Sequence, residues 1–386
     1  MQFNKAMKSV CFIIDDVNFR GGAHVATYLL IKQILQLGVH IEVLTLTKPD
    51  SRVLGKLDGI KINVMPYPMH GPRRYVCGLL RRFGWRWYPV WAFDPKYKWH
   101  GWVGNFDTVC CIGEPSILRW FTASLPKKVR KVIMIHTDYS SWRNRSRESR
   151  RITRFDGILY RMVDVIGVVG RCNAEKMKQC MPSLRQKIKP FHNIIDIPKV
   201  VKSRVRQTAD RVSVVKIVTL SRLQWGSPKK TDALIRIAAR LKSSGIAFDW
   251  DVYGDGDKQR LDELVSELGV EDVFHMKGFS KDAQAKLAEA DISVMLSDYE
   301  GLSNGIYESM MLGVPVFSTN VGGASEQIQD GVNGWLVENN EDRAFEKLGM
   351  VMNDRGVIEK VHQRLADYRY DNTVAFKENL ELLGLS

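Results

Sequence analysis

The stretch SDYEGLSNGIYESMMLGVPVFSTNVGG, Ser297 to Gly323, decides the fold. The apolar run Ile292–Leu296 ahead of it reads as a strand, and Tyr299–Leu302 as the loop at that strand's C-terminal end. Ser303 stands where an N-cap belongs and opens a helix through Gly305–Leu312, and Val314–Phe317 is the next strand. Strand, loop, helix and strand in that order are the unit of a parallel, doubly wound α/β sheet, which places loops and helix starts at the strand ends where ligands bind.

Working outward, the same alternation covers the chain. Val214–Thr219, Trp250–Tyr253 and Val273–His275 join the two strands above in one set. Val10–Ile14, Ile41–Leu46, Ile62–Met65, Thr108–Ile112, Val132–Ile135 and Val165–Val169 form an earlier set, with Ala23–Leu37 as a helix. A polar, basic stretch separates the sets. The predicted organisation is an N-terminal Rossmann-like domain over 1–198, a linker over 199–212, a C-terminal Rossmann-like domain over 213–364, and a terminal helix over 365–386 that packs back on the first domain. Two open α/β sheets facing across a cleft would place the motifs in loops that border it.

The opening stretch carries two carboxylates, Glu300 and Glu308, separated by seven residues; one lies in the loop and the other about a turn inside the helix. Backbone N–H groups of Leu302, Ser303 and Asn304 at the helix start, with Gly301 allowing close approach, suit a diphosphate. In TLSRLQWGSPKKTDALI, Thr219 to Ile235, a strand ends near Arg222 and a helix begins near Pro228, which brings Arg222 with Lys229 or Lys230 to the same edge. Two cations at one strand edge suit an anionic ligand. Gly21 and Gly22 follow the first strand and precede a helix, a phosphate-cradle arrangement that does not fit G-x-G-x-x-G and so gives no support to nicotinamide binding.

The segment from Ser297 to Gly323, followed by Asp330-Gly-Val-Asn-Gly334, resembles the E-x7-E region of retaining glycosyltransferases of family 4, which have the GT-B fold. The resemblance extends loosely over the whole chain. It implies that Glu300 receives donor-sugar hydroxyls and Glu308 the ribose hydroxyls, and that Arg222 and Lys229 hold the diphosphate, with Lys230 as the rival lysine. Six residues rather than about four separate Arg222 from Lys229, a departure from the family pattern. The family's strand-end histidine corresponds to His136, placed near the donor sugar, and Asn193 to a structural turn before the linker. The implied catalytic set is Glu300, His136, Arg222 and Lys229. Gly254 is read as approaching the nucleotide base, and Asp255-Gly-Asp257 as turn and capping residues rather than a metal motif, so no cofactor or metal is expected.

Hydrophobic residues at 45% and charged residues at 26% exclude a disordered or membrane-spanning chain. The run Val10–Ile14 stops at Asp15 and Asp16, too short for a signal peptide. Cysteines at 11, 77, 110, 111, 172 and 180 have neither metal-ligand spacing nor disulfide density, which fits free thiols in the cytoplasm. The net charge of +14 is uneven: residues 1–200 carry 34 Lys and Arg against 14 Asp and Glu, and the remainder 23 against 29. An anionic partner of the first domain follows. Residues 72–102 interleave Arg73, Arg74, Arg81, Arg82 and Arg86 with Trp85, Trp87 and Trp91, and a second basic cluster spans Trp142 to Arg154. That mixture suits an anionic membrane surface, and the absence of a nucleic-acid module puts nucleic acid lower. The functional expectation is a hexosyl- or N-acetylhexosaminyltransferase using a nucleotide sugar, UDP-linked by default. The acceptor would be a lipid-linked or cell-surface glycan at the inner face of a bacterial plasma membrane, in capsule, lipopolysaccharide or other polysaccharide synthesis. The alternatives are an inactive binding protein of the same fold, and a phosphorylase or epimerase built on it.

Overall fold

The computed structural model describes residues 8–18, 21–50, 57, 59–65, 98–112, 116–153, 156–196 and 214–386. The predicted membrane-facing residues Arg73, Arg74, Arg81, Arg82, Trp85, Arg86, Trp87 and Trp91, and the 199–212 linker, lie outside the described residues. The chain divides into two units, Met1–Ile194 with Asn372–Ser386, and Ile195–Asp371.

The first unit is built on a seven-stranded sheet of β1 Ser9–Ile14, β2 His40–Thr45, β3 Lys61–Val64, β4 Thr108–Cys111, β5 Arg130–Ile135, β6 Val165–Val169 and β7 Ile188–Phe191. Their order is β3-β2-β1-β4-β5-β6-β7, and every pairing is parallel. Central strands such as β1, with Val10 to Ile14 at 0% exposure, are buried on both faces, which is why they read as unbroken apolar runs rather than alternating ones. Helix α1, Gly22–Leu35, starts after β1; Gly21 is its N-cap at φ 102, a conformation that L side chains rarely adopt. Helices α2 Tyr139–Asn144 and α3 Arg147–Thr153 follow β5, and Asp138 caps α2 through the N–H groups of Ser140 and Ser141.

The second unit repeats the plan with β8 Val215–Leu220, β9 Phe248–Tyr253, β10 Phe274–Gly278, β11 Ile292–Met295, β12 Val316–Thr319 and β13 Gly334–Val337, ordered β10-β9-β8-β11-β12-β13 and parallel throughout. Its core is centred on Trp250, fully buried, whose indole N–H donates to Thr219 Oγ1 at 3.0 Å while that hydroxyl donates to the Val294 carbonyl at 2.7 Å. The chain links three neighbouring strands and leaves the buried indole satisfied. The helices that position the site are α4 Thr231–Ser243, α5 Ala283–Ala288, α6 Asn304–Met311 and α7 Ala324–Gln327. Helix α8, Arg355–Leu365, closes this unit, and the last helix, α9 Asn372–Leu383, belongs to the first.

Two strands escape the periodicity reading, β7 and β13. Both are four-residue edge strands. Pro190 interrupts the first, and an edge position is where a sheet tolerates a residue without an N–H. In the second, Gly334 lies so close to the Val316 carbonyl that a Cβ there would meet it at 2.5 Å.

Candidate functional site

In each sheet the strand order reverses beside the first strand of the unit, between β1 and β4 and between β8 and β11. In open α/β sheets the crevice outside the strand ends at this reversal is the ligand position, because flanking loops turn to opposite faces and leave a gap. In the second unit the loops concerned are Ser221–Lys230 after β8 and Leu296–Ser303 after β11. These two loops hold Arg222, Lys229, Lys230 and Glu300.

The structure joins the loops directly. Asp298 N–H donates to the Pro228 carbonyl at 2.8 Å, which sets the two backbones side by side. Across that contact the Lys229 ammonium donates to Glu300 Oε1. Ser297 Oγ donates to the same oxygen at 2.8 Å. Lys230 turns elsewhere: its Nζ donates to Asn339 Oδ1 at 2.7 Å and lies 3.6 Å from Asp298. It is the non-glycine residue at positive φ, 48°, among the described residues, and it forms the N-cap position of α4. Helix α4 therefore begins at Thr231, three residues after the predicted start at Pro228, because the chain first makes this left-handed turn. The turn sends neighbouring lysines to different partners, and Lys229 is the one at Glu300. Arg222 is exposed, and no hydrogen bond or ion pair is described for its guanidinium.

The glycines that follow shape the Glu300 loop. A Cβ on Gly322 would fall on the Glu300 carbonyl, and one on Gly323 would lie 2.6 Å from a Leu302 methyl. Gly323 N–H also donates to the Gly301 carbonyl at 2.9 Å. The loop after β12 thus presses on the loop after β11, through backbone at Gly322 and through the Leu302 side chain at Gly323.

Ser303 occupies the N-cap position of α6 with extended backbone, yet its hydroxyl caps nothing. Its N–H donates to Gln327 Oε1 at 3.0 Å, and its carbonyl accepts from Gln327 Nε2 at 2.8 Å. The expectation that Ser303 offers a free N–H to a ligand is therefore corrected: Gln327, 5% exposed, already holds it. Leu302 is buried, and Gly305 and Asn304 open the helix behind it. Glu308, a turn into α6, is largely buried, and that burial raises its pKa; the hydrogen bond to Gln284 on α5 works the other way, and the charge of Asp196 adds to the rise.

Gly254, read from the sequence as approaching a nucleotide base, follows β9 and lies against the β8 loop. A Cβ on it would strike the Ser221 carbonyl, so the space its missing side chain leaves is occupied by backbone of the β8 loop. Gly256 is pressed on Leu223 in the same way. Asp257 accepts from Gln259 N–H at 3.2 Å, a turn contact at the start of the following helix. Among the described residues, the group with metal-ligand proximity is Asp249, Asp251 and His275 on β9 and β10. His275 already meets Asp249 at 3.0 Å and Lys277 meets Asp251 at 3.2 Å, which reads as a cross-strand ion-pair ladder.

In the first unit, Gly21 and Gly22 stand at the α1 start after β1 as predicted from the turn. His136 follows β5, but its ring is not an open strand-end group. Nδ1 faces Asn193 Oδ1 at 3.1 Å, Phe191 stands edge-on at 5.1 Å, and Nε2 is shut off from solvent with no hydrogen-bond partner described. Burial, with the nearby His24, lowers its pKa to about 4 against the pull of the Asn193 bond. The ring is neutral at physiological pH, with Nδ1–H donating to Asn193. Asn193 therefore does more than shape a turn: it selects the tautomer.

Ser297, Gln284 and Gln327 are the site neighbours that motif reading missed. Gln284 and Gln327 reach the site from other segments, whereas Ser297 acts within the Glu300 loop, three residues away.

Residues 20–199 match the family described as Glycosyltransferase Family 4, and residues 214–354 the one described as Glycosyl transferases group 1. The putative colanic acid biosynthesis glycosyltransferase WcaL of Escherichia coli K12 is 30% identical over 176 residues, 43% of this chain and 42% of that protein. A Campylobacter jejuni protein named N-acetylgalactosamine-N,N'-diacetylbacillosaminyl-diphospho-undecaprenol 4-alpha-N-acetylgalactosaminyltransferase is 26% identical over 247 residues, 63% of this chain and 66% of that protein. The matches thus span less than half of the first relative and just under two thirds of the second. Among solved structures, HepE of Anabaena in complex with UDP and glucose aligns with a TM-score of 0.72 at 18% identity, over 98% of this chain and 99% of that one. At that identity the likeness establishes a shared two-domain α/β fold.

Proposed function

We propose, for a chain that belongs to glycosyltransferase family 4 and carries its GT-B fold, transfer of a hexose or N-acetylhexosamine from a nucleoside-diphosphate sugar to a lipid-linked or cell-surface glycan, with retention of anomeric configuration. The observation that carries this reading is the convergence of Arg222, Lys229 and Glu300 on the strand-order reversal of the second unit, beside the start of α6.

The chemistry follows from what those groups can do. When the glycosidic bond of a nucleotide sugar breaks, negative charge grows on the diphosphate, and an exposed guanidinium with an adjacent ammonium stabilises it. Glu300 accepts hydrogen bonds from sugar hydroxyls, and Glu308 from the ribose diol, each charge-assisted bond contributing about 1.5–3 kcal/mol. Retention follows if the acceptor hydroxyl enters on the face from which the diphosphate leaves, the departing oxygen taking the proton. His136, neutral and fixed by Asn193, orients rather than transfers protons in this scheme. The names of the relatives, one acting on a diphospho-undecaprenol acceptor and another in colanic acid synthesis, support a role in bacterial surface polysaccharide assembly.

The acceptor side is assigned to the basic first unit. Across α2, α3 and the turn between them, Arg145, Arg147 and Arg150 are exposed and Trp142 and Arg143 half-buried, which supports contact with an anionic lipid surface. Among the described residues no helix is long and apolar enough to cross a membrane.

A panel of UDP-, GDP- and ADP-linked sugars, assayed with and without chelator, tests the reading. Release of one nucleoside diphosphate by the native protein, reduced roughly 10²-fold in Arg222→Ala, is the expected result. Failure to bind any nucleotide sugar overturns it.

A further inference from the structure

Arg222 and Lys229 are both assigned to the diphosphate, yet their surroundings differ. The Arg222 side chain is exposed with no acidic partner described, whereas Lys229 is already bound to the carboxylate assigned to the sugar. The carboxylate is itself held in place from two sides. Ser297 Oγ donates to the same oxygen as Lys229, and the Asp298 to Pro228 backbone bond sets the two loops side by side. Glu300 is one-fifth exposed and Lys229 about two-fifths, so neither swings clear without losing a partner.

We propose that the Lys229–Glu300 pair makes this site discriminate between the intact sugar donor and the bare nucleoside diphosphate left after transfer. The inference rests on the donor reading above and adds to it a preference for one state of the ligand. An ammonium is a compact point charge with three donors, so Lys229 can keep Glu300 while it meets a phosphate. That arrangement puts an anionic diphosphate and an anionic carboxylate on one cation. With a sugar attached, the sugar's hydroxyls donate to Glu300 and offset the repulsion between the two anions. Without it, nothing does, and Glu300 weakens the hold of the site on the product. Arg222, with no competing acid, attracts either ligand alike. The same carboxylate that receives the sugar thereby speeds departure of the spent diphosphate.

Calorimetric titration of the full chain with UDP and with UDP-glucose tests this, with GDP and GDP-mannose as the second pair if uridine ligands do not bind. In Glu300→Gln, which removes the charge and keeps the shape, bare UDP is expected to bind about three- to fivefold tighter while the nucleotide sugar binds more weakly. A gain in affinity cannot come from a damaged fold. In Lys229→Met the carboxylate is left uncompensated, and UDP is expected to lose more affinity than the nucleotide sugar does. Should Glu300→Gln bind UDP as the native protein does, or Lys229→Met weaken both ligands equally, the discrimination is refuted even though the donor site stands. If the native protein binds neither nucleotide pair, the donor reading itself falls.

Discussion

The backbone carbonyl of Glu300 occupies the space that a Cβ on Gly322 would fill, so the loop after β12 sets the height of the loop that carries the candidate sugar-binding carboxylate. Gly322 also sits at φ +58. Replacing it by alanine adds strain of about 1–3 kcal/mol from the backbone alone and forces the two loops apart. Gly322→Ala is expected to fold with a lowered unfolding midpoint and to lose turnover far more than its stability loss explains. Parallel melting curves and steady-state rates check this, and normal turnover in the variant would show that the loop contact is incidental.

Gln327 holds both backbone groups of Ser303 at the start of α6. Gln327→Ala leaves the Ser303 N–H without its partner, and its carbonyl with the Ile306 N–H at 3.2 Å, at about 1–3 kcal/mol of local stability. Hydrogen exchange of the segment around Ser303 should rise in that variant, with weaker nucleotide binding. Gln327→Glu keeps the acceptor for the N–H but sets a carboxylate against the Ser303 carbonyl, and should bind nucleotide no better.

His136 makes the first unit acid-sensitive. Its pKa falls from an ordinary 6.5 to about 4 on folding, so between those values the unfolded chain takes up a proton that the folded chain refuses. Stability is therefore fully present above about pH 6.5 and declines as pH falls toward 4, by something on the order of 3 kcal/mol at the low end. Denaturant titrations across this range should show the slope, and His136→Gln should flatten it. A titration of the His136 ring resonances centred near 6.5 would contradict the assignment.

The last helix, α9, completes the first unit. Glu378 accepts from the backbone N–H and the ring Nδ1 of His192, at 3.0 and 2.7 Å. Asn379 Nδ2 donates to the His192 carbonyl at 2.9 Å, and Leu382 and Leu383 are buried. Removing residues 372–386 strips two buried leucines from that core, about 1.5–3 kcal/mol each, along with these bonds. The truncated chain is expected to lose soluble yield and to be cleaved rapidly by protease within the first unit, while Glu378→Ala is expected to show a partial effect. Protease resistance equal to the full chain would refute the structural role of α9.

Eleven of the thirteen described strands are legible as apolar runs; nine of them are central strands of a parallel sheet, where burial leaves a mark on residue after residue, and the other two are the edge strands β3 and β10. Glu300, Arg222 and Gly21 are legible for a related reason: each stands at a strand end followed by a helix, a local pattern that sequence carries. The strand order, and with it the reversal that selects the loops after β8 and β11 from among all strand ends, is a matter of which strands pair at long range. So are the division of labour between Lys229 and Lys230, set by a left-handed turn at one residue, and the capture of the Ser303 N–H by Gln327, 24 residues on. The His136 pKa likewise falls only when packing from distant segments buries the imidazole, while Asn193, 57 residues away, fixes its tautomer. Sequence alone determined the elements and the residue types at their ends, since propensity, periodicity and capping act over a few neighbouring residues. The tertiary structure decided which of those ends meet and which charges they share, since pairing, desolvation and hydrogen bonding across the fold act between residues the chain keeps far apart.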